Sequence, residues 1–233
     1  MSKNIKTLEQ LMVEYAQRNE NAAAKPSSGR RKSSLDRPLL FSGKIPSRLK
    51  SKDSTANPSL MLTLSSLEAG YINRQELNTI SLSRAVDKTI DYSFTQANDI
   101  VIGLFDPFHA AVVNTDDQGI FISNLFAVIR MDDTLQKTID PYYLAAYLNS
   151  RLINSQLRRI ANHPKKNLTL NNLATIPILI ADNPVQQSIG KDLKTQIALL
   201  ESIKSFEHSL NEYLNTIIED TYRQEMDGHD KSE

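Results

Sequence analysis

The side chains able to do chemistry in this chain are four histidines, two adjacent acidic pairs and a set of serines, and none stands in a spacing that chemistry requires. His109, His163, His208 and His229 lack the separations that bring imidazoles onto one metal. Asp116-Asp117 and Asp132-Asp133 are followed by no Glu-x-Lys strand, so they read as turn residues and not as a nuclease centre. No serine is framed as a nucleophile elbow. The seven glycines are scattered and form neither a phosphate-cradling loop nor a dinucleotide fingerprint. Cysteine is absent, which excludes disulfides, thiolate metal sites and thiol nucleophiles. The expectation is a protein without catalytic residues, metal or cofactor.

One tetrapeptide asks for closer reading. Asp140-Pro141-Tyr142-Tyr143 is similar to the Asp/Asn-Pro-Pro-aromatic motif with which adenine amino-methyltransferases hold an exocyclic amine. Here the second proline is missing, no glycine-rich cofactor loop precedes it, and a helical pattern follows at once. Asp as N-cap with Pro at the first helical position is the better reading.

These residues need elements to position them. The chain has 233 residues, 40% of them hydrophobic, enough for one core of ordinary size plus extensions. Thr7 opens a short amphipathic helix carrying Leu8, Leu11, Met12 and Tyr15 on one face, within an N-terminal segment over residues 1–25. Residues 26–35 read as a basic, flexible linker. A globular domain is expected over residues 36–183. Within it Leu39–Ser42, Ser59–Leu64, Asn98–Leu104, Ala110–Asn114, Ile120–Ser123 and Leu125–Arg130 read as short strands, with a turn at Asp116–Gly119. The period then changes to a helical stripe from Leu144 to about Ile160. A basic loop, His163–Asn167, a helical turn from Asn171 and a buried strand, Ile176–Ile180, follow.

Residues 184–226 read as one long helix, and 227–233 as a disordered tail. Ile189, Leu193, Leu200, Ile203, Leu210, Leu214 and Ile217 recur at alternating steps of four and three, with polar Gln196 and Glu207 at the gaps. That is the seam of a two-stranded coiled coil, and the two polar positions could set its register. A helix of about 35 residues is roughly 50 Å long, so it needs a partner helix. The fold class is therefore α+β: a small, mostly β domain with packed helices, followed by one long coiled-coil helix.

Lys+Arg and Asp+Glu balance at 27 each, but the charge is uneven. Lys25 to Lys52 carries many basic residues and only Asp36 against them, which keeps nucleic acid in play. No apolar run reaches membrane-spanning length and the first residues do not read as a signal peptide, so a cytoplasmic protein is expected.

Several segments, read in order, resemble one family. Ser42–Ser47 (SGKIPS) is similar to a Gly-x-Thr-Pro-Ser opening, with Ile45 where Thr is usual. Leu64–Ile72 is similar to the step that follows, ending in Gly-x-Ile. Asn98–Ile102 resembles a Gly-Asp-Ile-Leu-Ile strand with Asn98 in place of the glycine. Asp140–Ser150 looks like an Asp-Pro-x-Tyr-Leu helix, and Leu168–Ile178 with Gln186 and Ile189 resembles the Ile-Pro, Gln-x-x-Ile run into a long helix. The family is the specificity subunit of type I restriction–modification enzymes. The resemblance covers about Asp36 to Asn215. Full-length members carry two recognition domains and two long helices, so this chain resembles a half-subunit. The loop at Ala161–Pro164 lacks the glycines usual there.

The resemblance implies a non-catalytic target-recognition domain over residues 36–183. It would hold double-stranded DNA while an adenine methyltransferase subunit and an endonuclease/translocase subunit act in defence. Phosphate contacts would come from Lys44, Arg48, Lys50, Lys165 and Lys166. Base edges in the major groove would be read from Arg74, Gln75, Arg84, Phe108 and His109. The long helix would pair with a second copy, giving a bipartite, inverted site. Three other readings remain: a coiled-coil adaptor that binds no DNA, an enzyme remnant, and a spare recognition domain that joins a longer specificity subunit.

Overall fold

The computed structural model describes residues 4–23, 39–46, 58–82, 93–161 and 167–229, with the side chains of 19–23 and 223–229 outside the description. The chain divides into two compact units, Met1–Leu193 and Lys194–Glu233. The first is α+β.

Its centre is a four-stranded antiparallel sheet in the order β2 (Leu40–Ser42), β7 (Phe126–Ile129), β5 (Ile100–Gly103), β6 (Ala110–Val112). The strands β5, β6 and β7 are buried on both faces, which is why they read as unbroken apolar runs without a polar alternation. Ile100, Ile102, Ala127 and Ile129 turn to one face, where they meet residues of α1 (Leu8–Ala23), α3 (Pro141–Asn149), α4 (Arg151–Ile160) and α5 (Leu170–Ala174). Val101, Val128, Phe126 and Ala111 turn to the other, against Phe41, Leu62, Leu67 and Ile122. Two small two-stranded sheets complete the unit: β3 (Pro58–Met61) with β4 (Asn78–Ser81), and β1 (Asn4–Thr7) with β8 (Pro177–Ile180), both antiparallel. A short helix, α2 (Asp133–Gln136), capped by Asp132, follows β7.

The N-terminal segment is part of this body. Leu8, Leu11 and Tyr15 are buried in the main core, and Leu8 N–H donates to Ile176 O at 3.1 Å. Its amphipathic pattern shows in the sequence; its strand partner lies more than 170 residues on, out of reach of local reading.

Two expected elements differ. Ile120–Ser123 is not a ladder strand. It bridges singly to Met61, Phe94 and Lys44, with Phe121 N–H donating to Leu60 O and Ile122 N–H to Ser93 O. The helical stripe from Leu144 to Ile160 is broken at Ser150, which is extended and whose hydroxyl caps α4. Asn149 explains the break: its side chain accepts from Ala110 N–H at 2.9 Å and donates to Ala110 O at 2.7 Å, so the end of α3 acts as a partner to the edge strand β6.

Two residues of the family-like segments have a backbone reason. A Cβ at Gly43 would collide with the carbonyls of Ile122 and Ser123, so only glycine permits this close approach. Asn98, where the resemblance expects glycine, has φ 66°, a left-handed conformation that asparagine tolerates best after glycine. The neighbouring Asp99, 1% exposed, is gripped by Arg130 through Nε–Oδ1 (2.7 Å) and Nη2–Oδ2 (2.6 Å). Burial pushes the Asp99 carboxyl up from its ordinary range, and the guanidinium opposes that.

The helix α6 (Asn183–His229) begins in the first unit and continues through the second.

Candidate functional site

Three features could carry function: the joint at the start of α6, the exposed face of its distal part, and the polar surface of the α+β unit. The joint is built from residues that the motif-like segments contain. Asp140 Oδ1 accepts from Tyr142 N–H (2.8 Å) and Tyr143 N–H (2.9 Å), so its carboxylate serves as the N-cap of α3. Gln186, 3% exposed, accepts from Asp140 N–H at 2.9 Å and donates to Thr138 O (3.0 Å) and Ala181 O (2.7 Å). Gly190 lets the helix approach, since a Cβ there would lie 2.8 Å from Asp140 Oδ1. Every polar atom of the Gln186 amide group is thus engaged in seating the first turns of α6. Gln186→Leu strips three backbone groups of their partner and is expected to lower stability by at least about 2 kcal/mol. Urea denaturation of the full chain measures it, and an unchanged midpoint would show that the joint does not depend on this amide.

In the second unit the helix is exposed along most of its length. Of the expected seam, Ile203, Leu210, Leu214 and Ile217 are exposed and Leu200 is half-buried. Ile189 and Leu193 belong to the first unit, where Leu193 is buried. The exposed apolar surface is wider than that seam. Leu199, Phe206 and Tyr213 stand one position before the seam sites 200, 207 and 214, and Phe206 is 69% exposed. Together with Ile203, Leu210 and Ile217 they form a second row at alternating steps of four and three, in which Phe206 takes the place that Glu207 leaves polar.

The expected DNA contacts fare differently. Arg48, Lys50, Arg84, Lys165 and Lys166 lie outside the described residues. Lys44 is half-buried; its backbone bonds to Ile122 O and accepts from Asn124 N–H. Arg74 sits in a one-turn 3₁₀ segment and pairs through Nε with Asp117 at 2.7 Å, a carboxylate 5% exposed. That arginine holds a turn together. Phe108 is 1% exposed within the main core, so it reaches no base edge: burial of its ring against the sheet overrides its place beside a turn. Gln75 is exposed beside Arg74, and His109 is half-buried at the start of β6.

None of the expected DNA contacts lies on α4. Ile153 and Leu157 bury one face of it, while Arg151, Arg158 and Arg159 are exposed, and no acidic residue occurs in the helix. Three arginines without an acid in ten residues was a legible signal, obscured because the stripe was read as one helix continuous with α3. Among the described residues no group of three or more His, Cys, Asp or Glu side chains could hold a metal ion, and no helix is long and apolar enough to cross a membrane.

No protein-family model matches the sequence, and no curated protein does. Solved structures do. The HsdS subunit from Thermoanaerobacter tengcongensis is similar over 65% of this chain and 38% of its own, with 16% identity and a TM-score of 0.47. A chain from a structural study of complex assembly and conformational transition of the type I R-M system is similar over 90% of this chain and 52% of its own, with 14% identity and a TM-score of 0.42. This chain thus spans between about two fifths and about half of those chains.

Proposed function

We propose that the chain is a half-sized DNA-specificity subunit of a type I restriction–modification system, non-catalytic, which pairs with a second copy through α6. The observation that carries the reading is the apolar face of the distal helix, exposed in the single chain at Leu199, Ile203, Phe206, Leu210, Tyr213 and Ile217. Exposed contiguous apolar surface of this kind marks an interface. The charges favour an antiparallel copy as the partner. Lys194 and Lys204 lie toward the N-terminal end of the distal helix, with Glu201 between them. Glu207, Glu212, Glu219, Asp220, Glu225 and Asp227 dominate the other end, with Arg223 among them. Head-to-tail charge of this sort is satisfied by antiparallel pairing and opposed by parallel pairing.

The DNA-recognition part rests on the ordered family-like segments and on their mechanical roles: Gly43 at a backbone crossing, Asn98-Asp99 at the buried pair, Asp140 and Gln186 at the helix joint. Two recognition units related by a two-fold axis read inverted half-sites. The partners would be double-stranded DNA, an adenine methyltransferase subunit and an endonuclease/translocase subunit.

The test is co-expression of the tagged chain with a type I adenine methyltransferase subunit, followed by mapping of methylated adenines. The expected result is a stable complex and methylation at a two-part inverted site. Failure to retain either methyltransferase or DNA at low salt would instead favour the adaptor reading. Capture of a longer specificity subunit in place of a second copy would make this chain an exchangeable recognition domain.

A further inference from the structure

We propose that the cleft between α4 and the loop before β6 grips the phosphate backbone of a DNA strand, with Arg151 and Arg159 as its main contacts. The proposal deepens the DNA-recognition reading and rests on it. The cleft measures about 920 Å³ and is lined by Arg151, Arg158 and Arg159 together with His109, Asn154 and Ser155. Apart from Pro107, its described lining is polar or basic. Three guanidinium groups around one open cleft suit a polyanion.

The arginines have no structural duty that accounts for all three. Cations in the last turn of a helix complement its dipole, which suffices for Arg158 and Arg159 as stabilisers. Arg151 follows Ser150, which both ends α3 and caps α4, so the dipole of α3 favours a cation there and that of α4 opposes it. Among the described residues neither Arg151 nor Arg159 has an ion-pair partner. Arg158 meets Asp106 at 3.0 Å through Nε, using one of its five N–H donors. Both members of that pair are well exposed, so the pair is weak and exchangeable. On the opposite wall, the buried Nδ1 of His109 has no hydrogen-bond partner among the described residues. The fold leaves that nitrogen unexplained. Guanidinium groups spaced along one helix face match successive phosphate oxygens, which they bind in a two-pronged fashion. Such contacts position a duplex without reading it.

The experiment uses the full chain and a labelled duplex of mixed sequence, with fluorescence anisotropy followed from about 50 mM salt upward. The Arg151→Gln/Arg159→Gln variant is expected to bind at least about tenfold more weakly at low salt. Its slope of log affinity against log salt should fall by nearly two, since each lost phosphate contact removes about 0.9. Arg151→Lys/Arg159→Lys keeps the charge and should keep the slope. Denaturation midpoints of both variants should match that of the unaltered chain, because the side chains are exposed. Wild-type binding with an unchanged slope in the Gln variant would overturn the cleft assignment and leave the DNA reading intact. An equal fall of the slope in the Lys and Gln variants would also overturn it, since the slope follows charge and the Lys variant keeps it. Absence of binding by the unaltered chain would instead overturn the DNA reading itself. Preferential displacement by an RNA duplex would replace DNA as the ligand.

Discussion

Arg130→Met is expected to lower the stability of the protein by about 3–5 kcal/mol, the usual consequence of leaving one member of a buried ion pair alone. Arg130 makes two charge-assisted bonds to Asp99, donates to Phe94 O at 2.8 Å and lies over the Phe41 ring at 5.1 Å. Removing it leaves the Asp99 carboxylate 1% exposed and, among the described residues, with the Gln96 N–H at 2.8 Å as its remaining donor. Either the buried charge persists at high cost or the carboxyl takes up a proton; both destabilise the folded state near neutral pH. The double variant Asp99→Leu/Arg130→Met should recover part of the loss, because an apolar pair of similar volume can replace a buried ion pair. Recovery stays partial, since the backbone groups of Phe94 and Gln96 lose their partners. Urea denaturation of the three chains is the measurement. A loss below about 1 kcal/mol for Arg130→Met would mean that the pair is effectively a surface pair.

The second large effect concerns α6. Leu210→Glu/Ile217→Glu is expected to abolish self-association, weakening it more than about 100-fold, as two charges would enter the interface from each copy. One truncated interface anchor commonly costs about 2 kcal/mol, and each 1.4 kcal/mol is roughly tenfold. Sedimentation of the variant at tens of micromolar concentration should show one species of monomer mass. A persisting dimer would place the interface elsewhere. Phe206→Ala tells the two possible rows apart. In a narrow seam through Leu200, Glu207 and Leu214, Phe206 stands at the margin and its loss matters little. In the wider face, Phe206 fills the centre and its loss weakens pairing by at least about tenfold. The wider face is the expected one, because Phe206 is large, apolar and 69% exposed in the single chain while Glu207 beside it is charged. A helix that presents three apolar positions per heptad, rather than two, also has room for a second neighbour.

How much of this was legible follows from the range of each interaction. The cap at Asp140-Pro141, the long helix and the apolar strands β5 and β7 are local: neighbouring residues decide them, through missing N–H groups, period and turn chemistry. They were therefore readable from the chain alone, as was the α+β class. The N-terminal strand was not, because its ladder with β8 is a pairing of the two ends of the first unit. The break at Ser150 was not, because an asparagine side chain bonded to a distant strand edge outweighs a continuous apolar stripe. The same limit governs the candidate contacts. Residue type marks Arg74 and Phe108 as possible readers, but only tertiary packing shows that Asp117 claims the first and the core claims the second. Conversely, the three arginines of α4 stand in a helix without an acid, a signal that sequence carries without saying what faces them. It is the wall opposite them, carrying His109, that makes a basic cleft of them. Sequence determined the cap at Asp140-Pro141, the apolar strands β5 and β7 and the long helix, since those depend on near neighbours. Tertiary structure decided which charges are held by partners, as Asp117 holds Arg74 and Asp99 holds Arg130, since that depends on contacts between residues far apart in the chain.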